Sequence, residues 1–203
     1  MGTMNKDDFY RLVESRKSIR KFKPDPIDKT QLERILLAGC HAPSGKNRQN
    51  WRFYVVQGQK KEEYLALSQK SWLNIKDILK ERLKPSLYDF TERFFYTLGG
   101  APILIFCYSY NTKEEKYLTS VGSVYMAVEN INLACVAEGL GCCTMGAPLE
   151  IKKEVDQFLG VTELAEYRSG ELELLCGLVI GKPDHEPPKA QRQMDNRIHW
   201  LGF

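Results

Sequence analysis

The chain has little of what hydrolytic or metal chemistry needs. It has three histidines in 203 residues, His41, His185 and His199, and none stands with an acid or cysteine in a ligand pattern. Cys-x-x-Cys pairs and zinc-like Cys/His spacings are lacking. So is a membrane-length apolar run: the best candidate, Val121 to Ala137, is broken by Glu129, Asn130 and Asn132. Position 6 is Lys, which breaks the N-myristoylation pattern. There are no internal repeats or low-complexity segments. A net charge of +3 without a long basic stripe argues against nucleic acid as a partner.

What is present fits one globular domain, 1–203, with 43% hydrophobic and 27% charged residues. The six cysteines lie mostly in apolar runs, which predicts reduced, buried thiols and a cytoplasmic setting. The charge is local. From Arg11 to Lys23 there are six cationic residues and one acid, Glu14, a balance of +5. Arg16 and Arg20 are four apart with Ser18 between them, so they can surround a phosphate with charge-assisted hydrogen bonds. A solvated basic face would read the same way. Ala42-Pro43-Ser44-Gly45-Lys46-Asn47 is a turn before a strand. It can offer a hydroxyl, an amide and backbone groups to a polar ring, or be an ordinary turn.

The coarse pattern predicts a helix over about Asn5–Ser15 and another capped by Asp28, with Asp28 and Gln31 as a capping box. Strands are expected at Trp51–Val56, Ala101–Tyr108 and Leu172–Ile180. Residues 60–98 read as irregular helix broken at Lys84-Pro85-Ser86, and Pro148 opens a helix ended by Gly160. Val121–Glu138 is apolar almost all round, which predicts a central helix partly covered by a second subunit. The polar tail from Pro183 ends in Ile198, Trp200, Leu201 and Phe203, apolar residues that need a surface to cover. The whole is an α+β layout.

These motifs, in this order and spacing, resemble the nitroreductase family of FMN-dependent oxidoreductases. The family carries Arg-x-Ser-x-Arg/Lys on its first helix, then Ala-Pro-Ser-x-x-Asn-x-Gln-x-Trp; here the second reads Ala42, Pro43, Ser44, Asn47, Gln49 and Trp51, with Asn50 where proline is usual. The resemblance implies a small, mainly antiparallel central sheet flanked by helices, a homodimer, and 183–203 as a C-terminal extension. It implies that Arg16, Lys17, Ser18 and Arg20 hold the FMN phosphate and ribityl chain, and that Pro43, Ser44 and Asn47 lie against the ring. Gly139-Leu140-Gly141 with Met145 and Gly146 resembles the flavin-face segment, although a plain helix-to-strand loop fits those glycines equally. Arg192, with Lys189 assisting, resembles the downstream phosphate-binding arginine, although Gln193 and Met194 depart from the common Arg-x-Pro pattern.

The implied activity is hydride transfer from NADH or NADPH through FMN to a nitroaromatic or quinone-like acceptor in a ping-pong cycle. The alternatives are a specialised reductive relative, dehalogenase-like or flavin-cleaving, and a flavin-binding protein without turnover. No catalytic side chain and no metal is expected: His41 reads as structural, and Cys142-Cys143 as buried apolar residues.

Overall fold

The structure is a computed structural model that describes residues 5–110, 117–188, 190–193 and 195–202. Lys189, Met194 and Phe203 lie outside the described residues.

Helix α1 (Lys6–Ser15) starts where Asn5 caps it, its side chain accepting from the Asp7 amide. Helix α2 (Lys29–Cys40) is capped by Asp28, which accepts from the Gln31 amide. Only half of the expected capping box forms. The Gln31 side chain instead donates to the carbonyl of Glu138 at 2.9 Å, just past the end of another helix, where carbonyls lack helical partners. Then come strand β1 (Trp51–Gln57), helices α3 (Gly58–Arg82) and α4 (Pro85–Thr97), strand β2 (Ile103–Tyr110) and helix α5 (Tyr117–Ala137). Strand β3 (Gly141–Met145), helix α6 (Lys152–Phe158), the single turn α7 (Ala165–Arg168) and strand β4 (Leu172–Gly181) complete the order. The glycines after α5 therefore lead directly into strand β3.

The four strands form one antiparallel sheet in the order β1-β2-β4-β3. Alternate side chains of a strand point to opposite faces, and here both faces are covered. Ile103, Ile105 and Cys107 of β2 pack with α2 and α5, in a core of aliphatic and small residues plus Trp51. Leu104, Phe106 and Tyr108 pack with Tyr64 and Trp72 of α3 and Phe94 and Phe95 of α4, an aromatic core. A bulge between Cys107 and Tyr108 shifts the β2–β4 register.

Five cysteines are buried and free; Cys40, expected to be buried like the rest, is exposed at the end of α2. Among the described residues, no helix is long and apolar enough to cross a membrane. Helix α5 buries one face, including Val124, Val128, Ile131 and Cys135, yet leaves Leu118, Tyr125 and Met126 exposed. Helix α1 buries no residue and exposes Phe9, Tyr10 and Val13.

Candidate functional site

The Arg16–Arg20 segment is extended, not helical. Helix α1 ends at Ser15, and Arg16 already has φ −60° and ψ 123°. In extended backbone, residues two apart share a side, so Arg16, Ser18 and Arg20 project together while Ile19 turns inward and is buried. The chain here lies against the outer edge of β3. Ser18 bridges Cys142, and the Ile19 amide donates to the Cys142 carbonyl at 2.9 Å. On its other flank the Phe22 amide donates to the Gly99 carbonyl at 2.8 Å.

Both neighbours must be glycine. A Cβ on Gly141 would stand 2.6 Å from Ile19 Cγ1, and one on Gly99, which has φ +64°, would stand 2.2 Å from the Arg20 carbonyl oxygen. The fold thus clamps the backbone that carries the cations.

Arg16, Lys17, Ser18 and Arg20 line a cleft of about 480 Å³, together with Val13, Glu14, Pro187, Pro188, Ala190 and Arg192. The tail reaches that far wall through ordered contacts. The Asp184 amide donates to the Lys21 carbonyl at 3.0 Å, and Phe22 bridges Pro183. Side chains add the ion pairs Lys21–Asp184 at 2.8 Å and Lys17–Glu186 at 3.2 Å. The hydrogen bond from Lys21 holds the Asp184 carboxyl below its ordinary value. Arg192, 176 residues from Arg16 in sequence, therefore faces the same cleft.

A second, smaller cleft of about 180 Å³ also includes Arg20 in its wall, so this side chain belongs to both. Its other walls are Thr91, Phe94 and Phe95 of α4, Cys143, Thr144 and Met145 of β3, and Gly146 and Ala147 beyond it. Nothing lies within 4 Å of where a Cβ on Gly146 would stand. Met145 is buried and Gly146 exposed, so a ligand here meets a thioether beside bare backbone. Burial raises the Cys143 thiol, with the Arg20 guanidinium and the Ser18 hydroxyl pulling the other way. It is a neutral wall residue, not a nucleophile.

Pro43, Ser44 and Asn47 line neither cleft. Their turn sits against the N-terminal half of α5: the Gly45 amide donates to Ser123 Oγ at 3.3 Å. Arg16 meets α5 at Glu129, six residues further on, about 9 Å along the axis at 1.5 Å per residue. The turn is strained. Lys46, Asn47 and Gln49 all have φ near +50°, which side-chain-bearing residues adopt at a cost and which clusters at functional sites. Ser44 Oγ accepts from the Gln49 amide at 2.9 Å, and Asn47 Oδ1 accepts from Gln49 Nε2 at 3.2 Å. This leaves the Ser44 hydroxyl proton and the Asn47 amide hydrogens for a further partner. Asn50 is buried, and its Nδ2 donates to Ser109 Oγ at 2.9 Å and to the Ser120 carbonyl at 3.1 Å. It anchors the turn to β2 and α5. His41 caps the end of α2, its amide donating to the Leu37 and Ala38 carbonyls.

Sequence reasoning missed the second cleft's α4 wall, Thr91, Phe94 and Phe95. Nothing in an irregular helical stretch marks which of its aromatics will face a site. Three guanidinium groups, an ammonium group and a hydroxyl around one cleft form a donor set suited to a phosphate monoester. The open backbone at Gly146 suits a flat ring. The chain's own residues thus fit the phosphate end of FMN and one side of its ring.

Comparisons with known proteins bear on the family and the fold. Residues 13–182 match the model of the nitroreductase family. An iodotyrosine deiodinase from Thermotoga neapolitana is 31% identical over 188 residues, covering 90% of this chain and 92% of the relative. A 4-nitrobenzoate reductase from Pseudomonas putida is 22% identical over 231 residues, covering 97% of both chains. The solved FMN-dependent nitroreductase NfnB from Mycobacterium smegmatis, in complex with NADPH, superposes with a TM-score of 0.77 at 19% identity, covering 96% of this chain and 98% of that one. By its motifs, its antiparallel sheet and the family match along most of its length, this chain belongs to the nitroreductase family.

Proposed function

We propose that this protein is an FMN-dependent oxidoreductase that takes hydride from NADH or NADPH and reduces nitroaromatic or quinone-like acceptors. The observation that carries the reading is that the cation-lined cleft shares Arg20 with a cleft walled by Met145 and Gly146. Arg16, Lys17, Ser18, Arg20 and Arg192 would hold the phosphate. Met145, Gly146 and the α4 aromatics would bound the ring and the acceptor. Bound FMN supplies the redox chemistry, so the protein's part is binding, orientation and exclusion of water. Donor and acceptor would use one exposed face in turn, giving parallel double-reciprocal lines.

The working unit is a homodimer. The exposed apolar residues of α1 and α5, with Trp200 and Leu201 at 67% and 87% exposure, need a covering surface. Because Pro43, Ser44 and Asn47 line neither cleft of their own chain, they would meet the flavin held by the other copy. The free buried thiols suit a reducing, cytoplasmic setting.

One absorbance spectrum and one assay test the reading. The purified protein should be yellow, release FMN rather than FAD, and oxidise NAD(P)H with menadione or a nitrofuran. A yellow but inert protein would leave only a flavin binder. A second reading, reductive dehalogenation, is favoured by the 31% identity to the deiodinase and by the aromatic α4 wall over the second cleft. Iodide release from 3-iodotyrosine by the dithionite-reduced holoprotein, with no menadione turnover, would select it.

A further inference from the structure

We propose that Glu129 is a positioning residue for the cofactor phosphate, acting through Arg16; this rests on the FMN reading above. Glu129 stands on α5, outside both motifs, and lines neither cleft. Its Oε1 lies 3.4 Å from Nε of Arg16. A contact at Nε leaves both terminal nitrogens of the guanidinium for another acceptor. Glu129 is itself held: its Oε2 accepts from Asn132 Nδ2 at 3.0 Å.

Asn132 is 7% exposed and fixed in turn, its Oδ1 accepting from the Cys142 thiol at 3.0 Å. The same Nδ2 reaches Thr144 Oγ1 at 3.4 Å, and Thr144 lines the second cleft. A polar chain thus runs from Arg16 in the phosphate cleft, through Glu129 and Asn132, to the strand at the ring end. It fixes in advance an arginine that would otherwise lose rotamer freedom on binding.

Long-range electrostatics alone predicts the opposite sign. A carboxylate near a phosphate dianion repels it, so its removal should tighten binding. The two roles are therefore separable. The test uses the full-length protein, stripped of flavin by dialysis, with FMN and riboflavin as probes and flavin fluorescence quenching as the readout. Glu129→Ala should weaken FMN about tenfold and Glu129→Gln about threefold, while riboflavin, which lacks the phosphate, changes less than about twofold.

In an Arg16→Lys background, which keeps the charge but lacks Nε, Glu129→Ala should have no further effect on FMN, a non-additivity expected of groups that act through one another. Should Glu129→Ala not fold, the same cycle is run with Glu129→Gln. FMN binding that is unchanged or tighter overturns the proposal, as does an equal loss for both flavins or full additivity with Arg16→Lys. Wild-type protein that binds neither flavin overturns the FMN reading itself, and this inference with it.

Discussion

The Arg16–Arg20 segment is extended, passes between two obligatory glycines, and faces a cleft whose far wall its own tail supplies. The Pro43–Asn47 turn passes into left-handed backbone at Lys46 and Asn47, rests on the N-terminal half of α5, and lines neither cleft. In sequence the two motifs look like halves of one site. In the fold only the first half is assembled by one chain. A family motif can therefore mark residues that one chain keeps apart, and it is the packing, not the motif, that shows which half lines a cleft.

Charge reversal should break the first half most severely. Arg20→Glu removes a charge-assisted hydrogen bond and adds repulsion, so FMN affinity should fall by more than about a hundredfold. Arg20 is exposed, so the melting temperature should shift by only a few degrees. Flavin titration beside a thermal scan checks both.

Gly99→Ala attacks the same half through its backbone. The new Cβ would overlap the Arg20 carbonyl at a positive φ, costing about 2 kcal/mol or more. Denaturant unfolding should show the loss, and flavin affinity should drop with it. Normal flavin binding in a stable Gly99→Ala protein would mean that the clamp on Arg20 does not matter.

Mixed dimers sharpen the contrast. Asn47→Ala alone should weaken flavin about tenfold, as expected for one or two hydrogen bonds. A heterodimer pairing an Arg20→Glu subunit with an Asn47→Ala subunit keeps one intact site if patch and turn meet across subunits. It keeps none if they act within one chain. Flavin content per dimer decides between these.

The smallest effect concerns the tail. Lys21 depresses the Asp184 carboxyl below its ordinary 3.8, so this contact stabilises the tail above that value and is lost as pH falls through the lower folded value. Hydrogen exchange at the Asp184 amide, which donates to Lys21, should quicken modestly in that acid range. Asp184→Asn should be quick already at pH 7 and respond little to acid. An identical acid response in the Asn variant would place the titration elsewhere.

Much of this fold is legible in the sequence. The Asn5 and Asp28 caps, the apolar run of β2 and the Pro85 break are local signals, and each lies where its local physics puts it. Helix α3 was hard to read because two of its buried positions are serines, Ser68 and Ser71, which hide the apolar periodicity. Ser71 is buried because its hydroxyl donates to the Ala147 carbonyl, a partner 76 residues away. Strand β3 was missed for a similar reason. Gly141-Cys142-Cys143-Thr144-Met145 has weak strand character alone, and its pairing with β4 is what makes it a strand.

The sequence by itself determined the chemistry available: a dense cluster of cations with a serine hydroxyl between two arginines, a turn rich in amide and hydroxyl groups, and no metal or nucleophile pattern. Such features are local, and residue spacing along a strand or turn fixes which groups share a side. Only the tertiary structure decided that Arg192 joins Arg16 while Ser44 and Asn47 do not, and that α4 aromatics wall the cleft beside Met145. Those choices depend on how the two faces of one sheet are covered and where the tail is pinned, contacts between residues far apart in the chain that no local spacing encodes.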